Sequence, residues 1–334
     1  MGFTVITTIQ IPTASVLEMV HVGMQNGIRT IAVGDRKTPK VAWPDGVDFL
    51  SLENQMALGF ELAALLPENH YARKNMGYLF AMSRGGSVIF DTDDDNVPLA
   101  SWRRRTVETI AQPCLQTGWI NAYRWFTPSH IWPRGFPLEQ IRSEGSQPEI
   151  GAPLTVNAPL QQGLANGSPD VDAVWRLTLD EEFFFQDKHS IYLPSGAWCP
   201  FNSQSTWWFP EAYSLMYLPS HVSFRMTDIW RSFIAQRCLW AMGYGVVFHG
   251  PEMFQKRNTH NLLRDFEQEI PGYLGNSRIC EALESVQLSG KREATPDNLH
   301  RCYKALVGAG FVSAEEMPLV EAWLQDIKVK IQSA

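Results

Sequence analysis

Residues 87–98 read SVIFDTDDDNVP. A short apolar run, Val88 to Phe90, gives way to four aspartates within five positions: Asp91, Asp93, Asp94 and Asp95. Like charges this close repel one another, and Asp is a poor strand former. Two readings are open. The segment is a solvated acidic turn in which Asp91 or Asp95 caps a helix, or a divalent cation offsets the repulsion. Carboxylate oxygens are hard ligands suited to Mg²⁺ or Mn²⁺, ions that keep coordination positions open for phosphate.

The preceding ninety residues set the context. FTVITT reads as a strand, and ASVLEMVHVGMQNG as a helix ending at Gly27. IRTIAVGD is a strand that stops at Gly34-Asp35, and VDFLSL is a third. ENQMALGFELAALL and YARKNMGYLFAMSRGG carry apolar residues three and four apart and read as helices, the second ended by Gly85-Gly86. Repeated β-α units imply an α/β fold, a parallel sheet with helices on both faces. Ligands of such sheets bind beyond the carboxyl ends of the strands. Thr7-Thr8, Gly34-Asp35 and the aspartates all fall at such ends. There is no GxGxxG and no GxxxxGK[ST], which excludes those two phosphate-binding fingerprints.

The composition narrows the class. The 334 residues are 45% hydrophobic and 19% charged, as in a globular protein with a large core. A net charge of -7 argues against a basic nucleic-acid-binding face. The most apolar run, SFIAQRCLWAMGYGVVF, is broken by Gln236 and Arg237, so no transmembrane segment is expected. The first ten residues lack the pattern of a signal peptide. Five scattered cysteines without a CxxC pair suit a reducing compartment.

Residues 100–225 mix strand-like pieces with Pro- and Gly-rich turns. From Met226 to Met242 the pattern is helical, as it is from Pro296, where Ser313–Glu316 matches a capping box. The expected organisation is one catalytic-size domain, residues 1–290, with a helical extension, residues 291–334. The aromatic clusters around Trp125, Trp132, Trp207 and Trp208 suit either a core or a sugar-stacking face.

A strand leading into an Asp-rich DxD turn after an α/β half resembles the signature of GT-A glycosyltransferases. The blocks YLFAMSRGGSVIFDTDDDN, IWPRGFPLE, QQGLANGSPDVDAV, PFNSQSTWW, DIWRSFIAQRCLW, RNTHN and LVEAWLQDI, in that order, resemble the STELLO glycosyltransferase family. More distantly they resemble the UDP-arabinopyranose mutases, or reversibly glycosylated polypeptides. The features shared with that second family are the Lys74–Leu79 helix before Asp93–Asp95, a Gly163–Asp172 segment, the pair Asp228 and Trp230, and His249 after a strand.

The resemblance implies a GT-A-type mixed sheet flanked by helices, a nucleotide-sugar donor (uridine by analogy), a glycan or glycoconjugate acceptor and a divalent metal. It implies that Asp93 meets the ribose or, through water, the metal, that Asp94 lies near the donor sugar, and that Asp95 ligates the metal directly. His249 would complete the metal site, with His260 in RNTHN as rival. Thr7, Thr8 and Asp35 would hold base and ribose, and Arg73 or Lys74 the diphosphate. Asp228, opening a helix, is the candidate base for an inverting transfer, with a plain helix cap as the alternative. Arg134, Asp170, Asp172 and Trp207 are candidates for acceptor or sugar contacts. Two other functions stay open: a nucleotide-sugar mutase or self-glycosylating protein, and a non-catalytic scaffold for glycan-synthesis enzymes. Plant members of the family carry a membrane-anchoring N-terminal region. The expectation here is a cytoplasmic protein or, alternatively, an excised lumenal domain of a Golgi membrane protein.

Overall fold

A computed structural model describes residues 1–179, 181–256 and 261–330. Four strands, β1 (Gly2–Thr8), β2 (Ile28–Gly34), β3 (Val47–Leu50) and β4 (Val88–Asp91), run parallel in the order β3-β2-β1-β4. β1 is buried along almost its whole length, as a strand covered by helices on both faces must be. The register pairs Thr8 with Gly34 and Val5 with Asp91. The chain beyond Asp91 therefore runs alongside the last residues of β1, and Thr92 N donates to Val5 O at 3.3 Å.

The sheet continues past β4 with a change of direction. Thr206–Trp208 lies antiparallel to β4, and Leu160–Gly167, Val246–Gln255, Ile191–Leu193, Glu108–Pro113 and Leu154–Asn157 follow outward. With Asn96–Pro98 on the side, the described residues form a mixed sheet of eleven strands. The α/β class with a mixed, helix-flanked sheet is as the sequence implies. The irregular stretch 100–225 supplies most of the second half of this sheet, mainly as short strands.

The helix Lys74–Ser83 sits close against β1 and β2 because residue 77 is glycine. A Cβ there would lie 2.5 Å from Val5 Cγ1 and 2.7 Å from Val33 Cγ2. This close approach brings Lys74 beneath the aspartate turn. The predicted helix ENQMALGFELAALL is instead two short helices, Leu52–Ala57 and Leu62–Leu65, divided at Gly59 with φ of 68°.

The C-terminal helices Thr295–Gly308 and Met317–Lys330 pack into the same core as the sheet, with Leu299, Leu306, Val320 and Trp323 buried. Two buried carboxylates tie this tail down. Asp326 accepts from Glu61 N at 2.8 Å and Leu62 N at 3.0 Å. Glu316 accepts from the Tyr217 hydroxyl and from Ser220 N and His221 N. Glu316 is thus engaged elsewhere and does not reach back to Ser313, so the capping box is not formed. Among the described residues no helix is long and apolar enough to cross a membrane.

Gly77→Val is expected to push the helix off β1 and β2 and to destabilise the fold by about 1–3 kcal/mol, the usual scale of overpacking. Urea denaturation measures it. An unchanged midpoint would contradict the close-packing account.

Candidate functional site

The site is built on a buried ion cluster. Asp91 ends β4 with no exposed surface, its carboxylate 2.7 Å from Lys74 Nζ and 3.0 Å from Arg231 Nη1. Lys74 also reaches Asp93 Oδ1 at 3.2 Å and donates to Thr92 O at 2.5 Å. Arg231, one turn into the helix Thr227–Ala241, donates to Ser203 Oγ at 2.8 Å. One buried aspartate thus faces two buried cations, and the excess positive charge lies directly beneath Asp93.

Above this cluster a cavity of about 530 Å³ opens at the carboxyl ends of β1, β2 and β4. Thr7, Thr8, Asp35, Asp93, Asp94, Asp95, Arg134, Asp170 and Asp228 all line it. The structure therefore brings together in one cavity residues far apart in sequence. Thr8 hydrogen-bonds the Asp94 carboxylate. Asp35 is already engaged, accepting from Asn69 N at 2.8 Å and His70 N at 3.0 Å.

Burial shifts the three turn carboxylates. Asp93 is pushed up to about 6, first by desolvation and further by Asp95 and Asp91, against the opposing pull of Lys74 and the Tyr71 hydroxyl. Burial likewise raises Asp94 and Asp95 above the usual carboxylate range. Among the described residues no three His, Cys, Asp or Glu side chains gather into a ready-made ion cage. Asp93 and Asp95 nevertheless fit a divalent ion held by one or two carboxylates with water and substrate phosphate completing the shell. Their chemistry is all-oxygen, and a cation would oppose both the burial and the smaller carboxylate repulsion that raise Asp93.

In the same cavity, Arg134 bridges two acids. Its Nε and Nη2 donate to Asp170 at 2.8 and 2.9 Å, and Nη2 reaches both oxygens of Asp228 at 3.0 and 2.9 Å. Asp228 is the second residue of the helix Thr227–Ala241 and accepts from Ser203 N at 3.3 Å. Burial raises its pKa, but Arg134, Arg231 and Arg225 together outweigh burial and hold it below the usual range. Asp228 is therefore ionised, and weakened as a base.

Sequence reasoning missed three side chains that hold the turn. Tyr71 donates its hydroxyl to Asp93 Oδ1 at 2.9 Å. Gln255 Nε2 donates to both Asp95 oxygens at 3.0 and 3.1 Å. Gln204 in turn donates to Gln255 Oε1 at 2.5 Å. Neutral amides carry no motif. The available signals were the position of Gln204 in the PFNSQSTWW block and of Gln255 at a strand end.

Other expectations are corrected. Lys74 is buried under the turn and does not face the cavity. Arg73 borders the cavity, but its guanidinium turns inward to Gln55 Oε1 at 2.7 Å and Leu66 O at 3.0 Å. Asp172 is fully buried, capping the helix Ala173–Thr178 and accepting from Trp132 Nε1 at 2.6 Å. Burial pushes its pKa up to about 7.

Trp207 has no exposed surface, because its strand is enclosed between β4 and Leu160–Gly167. Its ring packs on Phe90, and its Nε1 donates to Glu252 at 2.9 Å. Trp132 and Trp208 are buried too, and Trp125 packs on the core with its Nε1 on His189 O at 2.8 Å. None of the four lines the cavity.

His249 is buried on the same strand as Gln255 but away from the turn. The Gln161 amide donates to Thr106 O and Ala158 O, so its Oε1 accepts from His249 Nε2 at 2.9 Å, and Ser190 Oγ donates to Nδ1 at 2.6 Å. Both ring nitrogens are satisfied, and burial keeps the ring neutral by lowering its pKa well below the usual value. His260 lies outside the described residues.

Residues 225–332, which include Asp228 and Arg231, match the family model of the STELLO glycosyltransferases. The probable glycosyltransferase STELLO2 of Arabidopsis thaliana is 29% identical over 350 residues, covering 97% of this chain and 44% of that protein. The probable glycosyltransferase STELLO1 of the same plant is 28% identical over 345 residues, with the same two coverages. The chain is similar to the STELLO glycosyltransferases along nearly its whole length. It spans 44% of the length of these two relatives. Among solved structures, glucosyl-3-phosphoglycerate synthase from Mycobacterium tuberculosis, in complex with phosphoglyceric acid, aligns at a TM-score of 0.38 and 14% identity over 85% of this chain and 78% of that one.

The shift of Asp93 predicts a pH effect. An unfolded Asp titrates near 4, whereas Asp93, facing Lys74, Tyr71, Asp91 and Asp95, titrates at about 6. Between these values the folded chain holds the extra proton, so this group's contribution to stability falls as pH rises from about 4 to about 6. In metal-free buffer at about pH 7.5, Asp93→Asn is expected to melt higher than wild type, the gap closing below about pH 4. Equal melting at the higher pH would contradict the shift.

Proposed function

We propose that the chain is a metal-dependent glycosyltransferase that moves a sugar from a nucleoside diphosphate donor, with uridine favoured, to a glycan or glycoconjugate acceptor. One observation carries the reading. The Asp93–Asp95 turn and the group Arg134, Asp170 and Asp228 line a single cavity at the strand ends. The similarity to the STELLO glycosyltransferases supports it. In this reading Thr7, Thr8 and Asp35 border the nucleoside, and Asp93 and Asp95 would hold a divalent ion, Mn²⁺ or Mg²⁺. Such an ion supplies positive charge against the departing diphosphate.

Lys74 acts from below, keeping Asp93 placed without touching the donor. Asp228 takes the proton of the acceptor hydroxyl as that oxygen bonds to the anomeric carbon and the bond to the diphosphate oxygen breaks. Arg134 orients Asp228 and keeps it ionised. The same contact supports a second reading. A carboxylate this firmly paired is a weak base, as suits a mutase or self-glycosylating protein in which Asp228 holds the donor sugar.

A screen of nucleotide sugars for Mn²⁺-dependent thermal protection tests the donor and metal roles. At least one uridine diphosphate sugar is expected to raise the melting temperature only when Mn²⁺ is present, and Asp95→Asn is expected to lose this response while remaining folded. Protection indifferent to chelator and to Asp95→Asn would overturn the metal role. No protection by any nucleotide sugar would overturn the function.

For Asp228, Asn substitution is expected to leave donor binding within a few-fold and to slow transfer by roughly a hundredfold or more. Transfer at the wild-type rate, or a product that retains the donor's anomeric configuration, would favour the second reading.

A further inference from the structure

Asp95 is held from outside its own turn. The amide Nε2 of Gln255, the last residue of the strand Val246–Gln255, donates to Asp95 Oδ1 at 3.0 Å and Oδ2 at 3.1 Å. A side-chain amide can bind a carboxylate only through its nitrogen, so its orientation matters. Gln204 fixes it. Gln204 Oε1 accepts from Asp170 N at 3.1 Å, and its Nε2 donates to Ser168 O at 3.0 Å. That nitrogen also donates to Gln255 Oε1 at 2.5 Å, which leaves the Gln255 nitrogen turned toward Asp95.

Gln204 is itself anchored at the backbone. Its N donates to Asn202 Oδ1 at 2.9 Å, and its carbonyl accepts from Thr92 Oγ1 at 2.7 Å. Thr92 belongs to the aspartate turn, so the bonds close a ring: Thr92 to Gln204, Gln204 to Gln255, Gln255 to Asp95. The ring joins the turn after β4 to the loop before the strand Thr206–Trp208 and to the end of the strand Val246–Gln255, and through Ser168 and Asp170 it meets the acceptor side of the cavity.

We propose that Gln255 is a positioning residue for Asp95 and that Gln204 acts through it, together presetting the carboxylate for a divalent cation. The proposal rests on the reading of Asp95 as a carboxylate that meets such a cation. Partners that orient a ligating carboxylate commonly account for tenfold to hundredfold of metal affinity. A purely structural pair would instead stabilise the strand end and leave cation affinity untouched.

The test uses the full chain with saturating uridine diphosphate and follows the free Mn²⁺ signal by electron paramagnetic resonance, with melting temperatures recorded in parallel. Gln255→Leu is expected to weaken Mn²⁺ binding by about tenfold or more at a nearly unchanged melting temperature. Gln204→Leu is expected to weaken it by a smaller factor, and the double substitution to be no worse than Gln255→Leu alone, because both act along one path. Gln255→Met serves in its place should the Leu variant fold poorly. Wild-type Mn²⁺ affinity in the Gln255 variant, or losses that multiply in the double variant, would overturn this proposal and leave the cation reading intact. A wild-type chain that binds no Mn²⁺ would overturn both.

Discussion

The pairing of Asp91 with Lys74 and Arg231 is the interaction on which the site depends. All three side chains are essentially without solvent contact. Removing an ion from water costs several kcal/mol, so such a group persists only where its counterions are equally well placed. Here the counterions come from two helices distant in sequence, Lys74–Ser83 and Thr227–Ala241. The contact therefore fixes the end of β4 against both halves of the chain. It also explains the crowding of aspartates. One carboxylate facing two cations leaves a net positive charge under the turn, and Lys74 shares it with Asp93. The acidic run is supported from below by buried cations and from the side by Gln255.

The balance is incomplete in a way that suits binding. Asp93 remains raised to about 6, and Asp94 and Asp95 lie above their usual range. The turn thus holds buried carboxylates, desolvated first and repelling one another second, that a cation would favour in their charged form. The group Arg134, Asp170 and Asp228 is arranged in the opposite sense. Arg134 satisfies Asp170 and Asp228 so well that Asp228 is held below the usual range. The two groups that line the cavity thus differ electrostatically: one is poised to take up positive charge, the other already has it.

The fold of the first ninety residues was legible because each element carries a local signal: apolar periodicity, a glycine stop, a strand ending in aspartates. The parallel order and the position of Thr8, Asp35 and the turn follow from these. Residues 100–225 were not legible, because their strands are two to eight residues long and are defined by partners as far as Asp91 with Thr206. The same nonlocality hid Gln204 and Gln255. The resemblance implied His249 as the residue completing the metal site, yet the strand Val246–Gln255 runs six residues farther before it reaches the turn. For the tryptophans the sequence left a core and a sugar face both open, because aromatic residues suit either, and here the sheet encloses Trp207 and Trp208. Whether Asp228 is free or paired could not be read from its place on a helix, since Arg134 lies 94 positions away.

The central claim is that the aspartate turn, balanced from below, receives a divalent cation together with a nucleoside diphosphate. Anomalous diffraction at the manganese edge, from crystals soaked with Mn²⁺ and uridine diphosphate, tests it most directly. The account predicts a manganese peak in the cavity at bonding distance from the Asp95 carboxylate, with Asp93 and the diphosphate beside it. Uridine diphosphate bound in the cavity with no manganese at the turn would contradict it.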